Sequence, residues 1–376
     1  MKFALLRTGA VLVMMVATMI LIGCEDEREY IDNFRNFVVN FDLLEPYVTV
    51  RASHEGTLWA TWARVKCSDK GVLLKSYDHG ETWEQAYIFQ NPIDTIYCDY
   101  FGNVFVATTL DRWGDPGTAE LFKSADGGNT FAKVLDMLAG APFHWNIASA
   151  NGTMFVSEYG FKGHGNNARR IYRSIDFGDT WEIVFEPPPT YNWHNHKIII
   201  SGDRIYQSIG DVPHNHIIVS MDNGETWEQA IDNIHPTSAV QIGSYILWGL
   251  DSGANPGQAN NGVARYNIDV GEIESFWAPP YPFYGSSYDM AIANGIVYII
   301  FLSYGGDSHP ASIWYSRDKG IVWEPLGYIA KEWYDGIGLW SLTVDDRYGY
   351  IDIQTPVVRN EYKEYFWGTL RFELLQ

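Results

Sequence analysis

Positive charge and cysteine are both scarce in this chain. Its 376 residues include 26 lysines and arginines against 46 aspartates and glutamates, which gives a formal net charge of −20. An acidic surface repels nucleic-acid phosphates and anionic headgroups, so we expect no nucleic-acid partner. The three cysteines form no C-x-x-C pair, which excludes the common zinc and redox motifs, and leaves Cys67 and Cys98 as either a disulfide or two buried thiols. Charged residues make up only 19% of the chain, which disfavours long solvated helices.

A signal-like apolar run opens the chain. Residues 10–22 are apolar and follow Lys2 and Arg7, and the run is too short for a membrane span. It ends in LIGC, which resembles a bacterial lipobox, and this resemblance implies that Cys24 is acylated and becomes the first mature residue. We therefore expect a lipoprotein signal peptide at 1–23, an acidic tether at 24–33 and the folded domain at 34–376. The protein would be exported to the cell envelope and held at the membrane by its lipid anchor alone.

Aromatic residues and glycine are abundant, and they recur with a period. Aromatics are 15% of the chain and there are 35 glycines, a composition typical of all-β proteins. An octapeptide of the form S-x-D-x-G-x-T-W recurs six times, as SYDHGETW at 76–83 and in five further copies, of which the fifth is degraded. Successive copies are 46 to 50 residues apart, so one structural unit is repeated. The aspartates of these octapeptides, to which we assign a structural role in a tight turn, are Asp78, Asp126, Asp176, Asp222, Asp269 and Asp318.

Each repeat contains four strand-like runs, with the octapeptide between the third and the fourth. In the first repeat these runs are 47–53, 57–65, 71–78 and 82–89. Four-stranded units repeated around an axis predict an all-β, seven-bladed β-propeller, with six blades as the alternative. The seventh blade would use three strands of the C-terminal tail, and a strand at 34–41 would pair beside the last of them to close the ring.

The octapeptides resemble the BNR/Asp-box family, which includes sialidases, sortilin-type receptors, xyloglucanases and photosystem assembly factors. The resemblance spans roughly residues 47–324 and implies the propeller fold, but no single activity, because its members differ widely. A closer likeness, to uncharacterised bacterial BNR-repeat lipoproteins, covers H-x-H at 194–196, Gly-Asp at 210–211 and the following octapeptide. It implies a site that includes His194, His196, Asp211 and Asp251.

Strand direction predicts where a site would form. The first strand of each blade begins, and the second ends, at one end of the ring, whereas the octapeptide turns lie at the other end. Polar and aromatic side chains at the first end would meet around one opening, where propellers commonly bind ligands. The ligand-binding candidates selected in this way are Arg64, Asp111, Trp113, His144, Glu158, Asp251, Asp289 and Tyr304.

The fourth repeat is the richest in such residues. His194 and His196 share one face of a strand, and Asp211 and His214 follow the next strand. His194, His196 and Asp211 could bind a divalent metal ion. Alternatively, these two histidines, Asp211 and His214 could be catalytic acids and bases, or the histidines could be hydrogen-bonded in a wet channel.

Three hypotheses about function remain open. The first is an exported propeller, expected to be monomeric, that binds glycan or another cell-envelope ligand. The second is a carbohydrate-active enzyme, either a hydrolase or a polysaccharide lyase, and the third is a protein-binding scaffold. A true sialidase is disfavoured because the chain lacks that family's R-I-P motif. His194 with His214, and His196 with His216, have the twenty-residue separation of lyase histidines, although an acidic opening would repel a polyuronate.

Overall fold

The computed structural model describes residues 42–45, 48–62, 70–109, 119–137, 146–159, 169–186, 194–210, 215–251, 262–280, 283, 285–302, 311–329, 338–359 and 362–376. Within these ranges the chain forms seven four-stranded antiparallel sheets arranged in a ring, so the protein is a seven-bladed β-propeller and the six-bladed alternative is excluded. In the described part, no helix is long and apolar enough to span a bilayer.

The first four blades follow the predicted order of strands. Blade 1 contains β2 (Val48–His54), β3 (Thr57–Trp62), β4 (Gly71–Ser76) and β5 (Glu84–Phe89). Blade 2 contains β6 (Ile93–Cys98), β7 (Val104–Thr109), β8 (Ala119–Ser124) and β9 (Ala132–Met137). Blade 3 contains β10 (Ile147–Ala150), β11 (Thr153–Ser157), β12 (Ile171–Ser174) and β13 (Glu182–Phe185). Blade 4 contains β14 (His194–Ser201), β15 (Arg204–Gly210), β16 (His216–Ser220) and β17 (Glu228–Asp232).

The last three blades include the closure of the ring. Blade 5 contains β18 (Pro236–Ile242), β19 (Tyr245–Leu250), β20 (Gly262–Asn267) and β21 (Glu272–Trp277). Blade 6 contains β22 (Ser286–Ala293), β23 (Ile296–Leu302), β24 (Ala311–Ser316) and β25 (Glu324–Ile329). Blade 7 contains β26 (Gly338–Val344), β27 (Tyr348–Arg359), β28 (Tyr362–Glu373) and the N-terminal strand β1 (Asp42–Leu43).

An N-terminal strand therefore completes the last sheet, as the sequence predicted. Its position differs from the prediction, because β1 at Asp42–Leu43 is the strand seen beside β28, with Asp42 opposite Arg371. Residues 34–41 and Cys24 lie outside the described residues. Closure by the two termini removes two open sheet edges from the ring.

The hydrophobic core is divided among the seven seams between neighbouring blades. Each seam holds one cluster of buried side chains contributed by the two blades that meet there. At the seam of blades 4 and 5, for example, Tyr206 packs with Ile246 and Trp248, all almost fully buried. Strand β23 is buried along its whole length, because a middle strand of a blade has a neighbouring blade on both faces.

A polar network joins blades 7 and 1. Arg51 and Asp352 form an ion pair of 2.7 Å whose side chains are 9% and 0% exposed. The Ser341 hydroxyl donates to Asp352 Oδ2 at 2.8 Å, and the Thr369 hydroxyl lies 3.0 Å from Asp352 Oδ1. The buried carboxylate thus has a cation and two hydroxyls around it, which is the condition for burying a charge without a large penalty.

Candidate functional site

The octapeptides form the turns that join the third and fourth strands, and we call them box turns. In blade 4, the Ser220 hydroxyl donates to Asp222 Oδ1 at 2.8 Å and accepts from the Gly224 amide at 2.7 Å. The Thr226 amide and hydroxyl donate to the two carboxylate oxygens of Asp222 at 2.8 and 2.6 Å. Every oxygen of this carboxylate is therefore used within its own turn.

The other box turns repeat this pattern, and two of them lack some of its hydrogen bonds. Asp78, Asp126 and Asp176 accept from the same serine and threonine positions. Asp318 accepts from the serine hydroxyl and from the Val322 amide, since valine has no hydroxyl to donate. The degraded fifth copy differs, because there the Asp269 amide donates to the Asn267 side chain at 2.9 Å.

These hydrogen bonds set the electrostatics of the turns. The threonine hydroxyl, followed by the threonine amide, lowers the pKa of Asp176 and of Asp222 from 3.8 to about 2. The pKa of Asp78 and that of Asp126 are lowered by the same donors. The glycine of a box turn also contacts the preceding blade: a Cβ at Gly178, where φ is +83°, would lie 2.5 Å from the Phe105 ring. The turns are therefore structural joints between blades, and we call their end of the ring the box end.

The opposite end, which we call the mouth, is where each innermost strand begins. In six of the seven blades the innermost strand has a register shift in its mouth half. Such bulges re-aim side chains and are frequent beside binding sites. The residues that lie within these shifts differ from blade to blade and include Arg51, Asp94, Lys197, Thr237, Tyr288 and Trp340.

Three rings from three successive blades stack at the mouth. His196, on β14, lies parallel to Tyr159 of blade 3 with ring centroids 5.8 Å apart. On its other side it lies parallel to His235, which immediately precedes β18 of blade 5, at 5.2 Å. Both histidines are buried and Tyr159 is half-buried. A continuous stack of rings therefore crosses two blade seams and ends in a partly exposed tyrosine.

The hydrogen bond of His196 fixes which of its nitrogens accepts. Its Nδ1 lies 2.9 Å from the Pro236 carbonyl oxygen, which can only accept, so Nδ1 carries a proton, and in the neutral ring Nε2 is then the acceptor nitrogen. A Cβ built on Gly210 would lie 2.7 Å from His196 Nε2 and 2.8 Å from His235 Nε2. The Nε2 atoms of His196 and His235 therefore lie beside the same point above Gly210, and a side chain larger than that of glycine would collide with them.

One side chain of the predicted metal and catalytic set lies within the described residues. Of the proposed metal and catalytic set, the His196 side chain is described, whereas Asp211, His214 and the side chain of His194 lie outside the described residues; the His194 backbone pairs with Gly210. His235 is an addition that the sequence analysis did not select. It could have been found by aligning the repeats, because the residue immediately before β18 corresponds to the residues at which the first strands of the other blades begin.

His196 and His216, which have the sequence separation of lyase histidines, lie on strands that are not adjacent. His216 opens β16, and β15 lies between β14 and β16. Two strand spacings separate their backbones by about 10 Å. The nearer imidazole partner of His196 is therefore His235.

Several predicted ligand-binding residues make internal contacts. Glu158 is fully buried and accepts from the Tyr172 hydroxyl at 2.7 Å and the Arg170 amide at 3.1 Å. Asp251 accepts from the Ser286 hydroxyl, and its amide donates to the His235 carbonyl at 2.8 Å. Asp251 thus connects the strand end of blade 5 to the histidine stack.

Asp289 and Lys197 carry opposite charges on the innermost strands of blades 6 and 4. The two carboxylate oxygens of Asp289 accept from the Met290 and Leu342 amides, each at 2.9 Å. Burial lowers the pKa of the Lys197 ammonium, and the negative charge of Asp289 opposes this shift. The remaining predicted ligand-binding residues, which lie outside the described residues, are Arg64, Asp111, Trp113, His144 and Tyr304.

Comparison with known proteins agrees with the fold. No family model matches the chain, and no curated protein matches its sequence. Among solved structures, it is similar to the GH74 enzyme of Niastella koreensis, with a TM-score of 0.58 and 17% identity over 86% of this chain and 55% of that one. The chain therefore spans about half the length of that enzyme.

Two other solved structures extend the comparison over whole chains. YCF48 bound to a D1 peptide matches with a TM-score of 0.55 and 13% identity, covering 89% of this chain and 94% of that one. The propeller domain of the Trilobed protease from Pyrococcus furiosus matches with a TM-score of 0.51 and 10% identity, covering 88% and 98%. That domain is described as having an open velcro topology, whereas here β1 closes the last sheet. Identities this low show the fold alone.

Proposed function

We propose that this protein is an exported, lipid-anchored propeller of the BNR/Asp-box type that binds a neutral glycan of the cell envelope at its mouth. The observation that carries the proposal is the stack of Tyr159, His196 and His235, which ends in a partly exposed ring at the opening. Aromatic faces with a few fixed polar groups are the usual lining of small-ligand sites. The net charge of −20 favours a neutral glycan over a polyuronate.

The binding test is affinity electrophoresis in gels that contain one soluble polysaccharide each: a β-glucan, a galactan, a mannan and a polyuronate. We expect at least one neutral polymer to retard the protein, and Tyr159→Ala to raise the Kd about tenfold or more because the partly exposed ring at the end of the stack is removed. Tyr100→Ala, an exposed tyrosine at the box end, is the matched control and should bind like the parent. Retardation by the polyuronate alone, or equal Kd values for the two variants, would refute the proposed site.

Lipid anchoring is supported by the LIGC sequence at 21–24. It is tested by expressing the full chain in bacteria fed labelled palmitate, with Cys24→Ala as the control. We expect label in the parent and none in the variant. Label that persists in Cys24→Ala, or no label in either protein, would overturn the anchoring.

A second candidate function is acid–base catalysis on a glycan, and the tautomer of His196 favours it. The proton on Nδ1 leaves Nε2 as the nitrogen that could accept a proton beside Gly210. Reducing-sugar and unsaturated-uronate assays on the same polysaccharides test this candidate, with His196→Ala expected to abolish any activity found. Activity that survives His196→Ala, or binding without turnover, would exclude this histidine as the catalytic group.

A further inference from the structure

One hairpin at the box end differs from the other six. The hairpins that join the first and second strands have two or three residues in six blades, but the one between β6 and β7 in blade 2 has five, residues 99–103. Its tip carries Tyr100 and Phe101, which are 87% and 56% exposed. No other hairpin in this series has an aromatic residue at its tip, and all seven lie within the described residues. Blade 2 thus projects two rings into solvent.

The protruding hairpin is held in shape by Asp99, which is itself buried. Asp99 Oδ1 accepts from the Phe101 amide at 2.9 Å and from the Asn103 amide at 2.8 Å. Its Oδ2 accepts from the Asn103 side-chain amide at 2.7 Å. Three charge-assisted hydrogen bonds from one carboxylate fix the backbone, so the rings are presented in a defined orientation and lose little conformational entropy on binding.

A third ring joins them from blade 3. Phe177, in the box turn of that blade, lies 5.0 Å from Phe101 in an edge-to-face arrangement and is 42% exposed. Its φ is +60°, a region that bulky residues rarely adopt. The residues at this place in the other regular box turns are His79, Gly127, Asn223 and Lys319. The same positive φ occurs at this position in the other regular box turns, so the conformation belongs to the turn, and blade 3 alone among them places an aromatic ring there. We call Tyr100, Phe101 and Phe177 the aromatic tip.

The chain also enters the propeller at this end. Asp42, at the start of β1, pairs with Arg371, and Arg371 in turn donates to the His79 carbonyl at 3.0 Å and pairs with Glu81 of the first box turn. The predicted lipid site at Cys24 lies 18 residues before Asp42. A relaxed chain of that length spans about 25 Å, so an anchored protein would have the bilayer near its box end.

We propose that the aromatic tip inserts into the headgroup region of a zwitterionic bilayer and holds the propeller with its mouth away from the membrane. Tyrosine and phenylalanine rings favour the membrane interface, and a lipid anchor raises the local concentration of the three rings at the bilayer. The net charge of −20 disfavours an anionic surface. This inference rests on the proposed lipid anchoring. The aromatic tip would be a second contact with the membrane, beside that of the lipid anchor.

The test compares amide hydrogen exchange of the full lipidated chain in phosphatidylcholine nanodiscs with that of the full Cys24→Ala chain in buffer. We expect exchange at 99–103 and 175–179 to slow about tenfold or more in the nanodiscs because the bilayer excludes water there, and exchange at 233–235 near the mouth to be unchanged. Tyr100→Ser with Phe101→Ser should abolish the slowing while the acyl mass on Cys24 stays. Phe276→Ser, a half-exposed ring on the outer strand β21, is the control and should leave the slowing intact.

Other outcomes overturn the proposal. Slowing at 233–235 instead would place the mouth on the membrane, and slowing at 99–103 only after addition of envelope proteins would assign the aromatic tip to a protein partner. If mass spectrometry finds no acyl group, the anchoring fails separately, and flotation of the same full chain with phosphatidylcholine vesicles tests the tip alone. Flotation that is lost in the Tyr100→Ser, Phe101→Ser variant but kept in Phe276→Ser would support the tip, whereas equal flotation, or none, would refute it.

Discussion

The two ends of the ring are built on different principles. At the box end, an aspartate makes nearly the same hydrogen bonds in five blades, and four of the five with the same serine and threonine positions. At the mouth, the residues within the register shifts vary around the ring and include arginine, aspartate, lysine, threonine, tyrosine and tryptophan. Because similar turns recur at the box end, we expect the loss of one to have a small effect, whereas the described polar contacts in the mouth half differ from blade to blade. The four predictions below test this contrast, in order of decreasing effect.

The largest effect is expected at the seam of blades 7 and 1. Arg51→Ala leaves the carboxylate of Asp352 buried without its cation, and breaking a buried pair in this way costs about 3–5 kcal/mol. Arg347→Ala is the matched control, because its 3.4 Å pair with Glu373 is exposed and such pairs contribute about 0–1 kcal/mol. The free energy of unfolding from urea titration measures both. Equal losses of unfolding free energy in the two variants would show that the buried ion pair stabilises the fold no more than the exposed one.

The next effect is expected at Gly210. Gly210→Ala places a Cβ 2.3 Å from His196 Cε1, and forcing two buried rings apart costs about 1–3 kcal/mol. Because the collision involves the His196 ring, the cost should shrink when His196→Ala is present as well, giving a coupling of about 0.5 kcal/mol or more in a double-mutant cycle. Strict additivity of the two changes in unfolding free energy would contradict the close approach at this point.

The contrast also explains how much the sequence could predict. The box turns have a fixed period and local hydrogen bonds, so the blades, their order and their turns follow from residues close together in the chain. His196 and His235 are 39 residues apart and meet only because two blades pack side by side, and no local pattern announces that contact. The stack on Tyr159 and the space left by Gly210 likewise depend on the angle between neighbouring blades, and no sequence pattern predicts that angle.

A smaller effect is expected from a single box turn. Asp222→Ala removes the acceptor of the Ser220 and Thr226 hydroxyls and of one amide, so it should lower the unfolding midpoint measurably. Asp269→Ala, in the degraded turn of blade 5, is the matched control and should change the midpoint less, because the described contact there uses the Asp269 amide and not its carboxylate. Thermal unfolding of both variants under one buffer decides this point. A larger fall in the unfolding midpoint for Asp269→Ala would mean that the degraded turn contributes more to stability than the regular turn of blade 4.

The smallest effect is the pH dependence that the box turns create together. The pKa of Asp176 and of Asp222 is about 2 in the folded chain against an ordinary 3.8, so the unfolded chain binds more protons between these values. Their contribution to stability is therefore complete above pH 3.8 and is lost as the pH falls through about 2. We expect the urea midpoint to fall over this range, and to fall less steeply in Asp222→Ala, which lacks one of the shifted carboxyls. An unchanged slope in that variant would assign the acid sensitivity to acidic groups outside the box turn of blade 4.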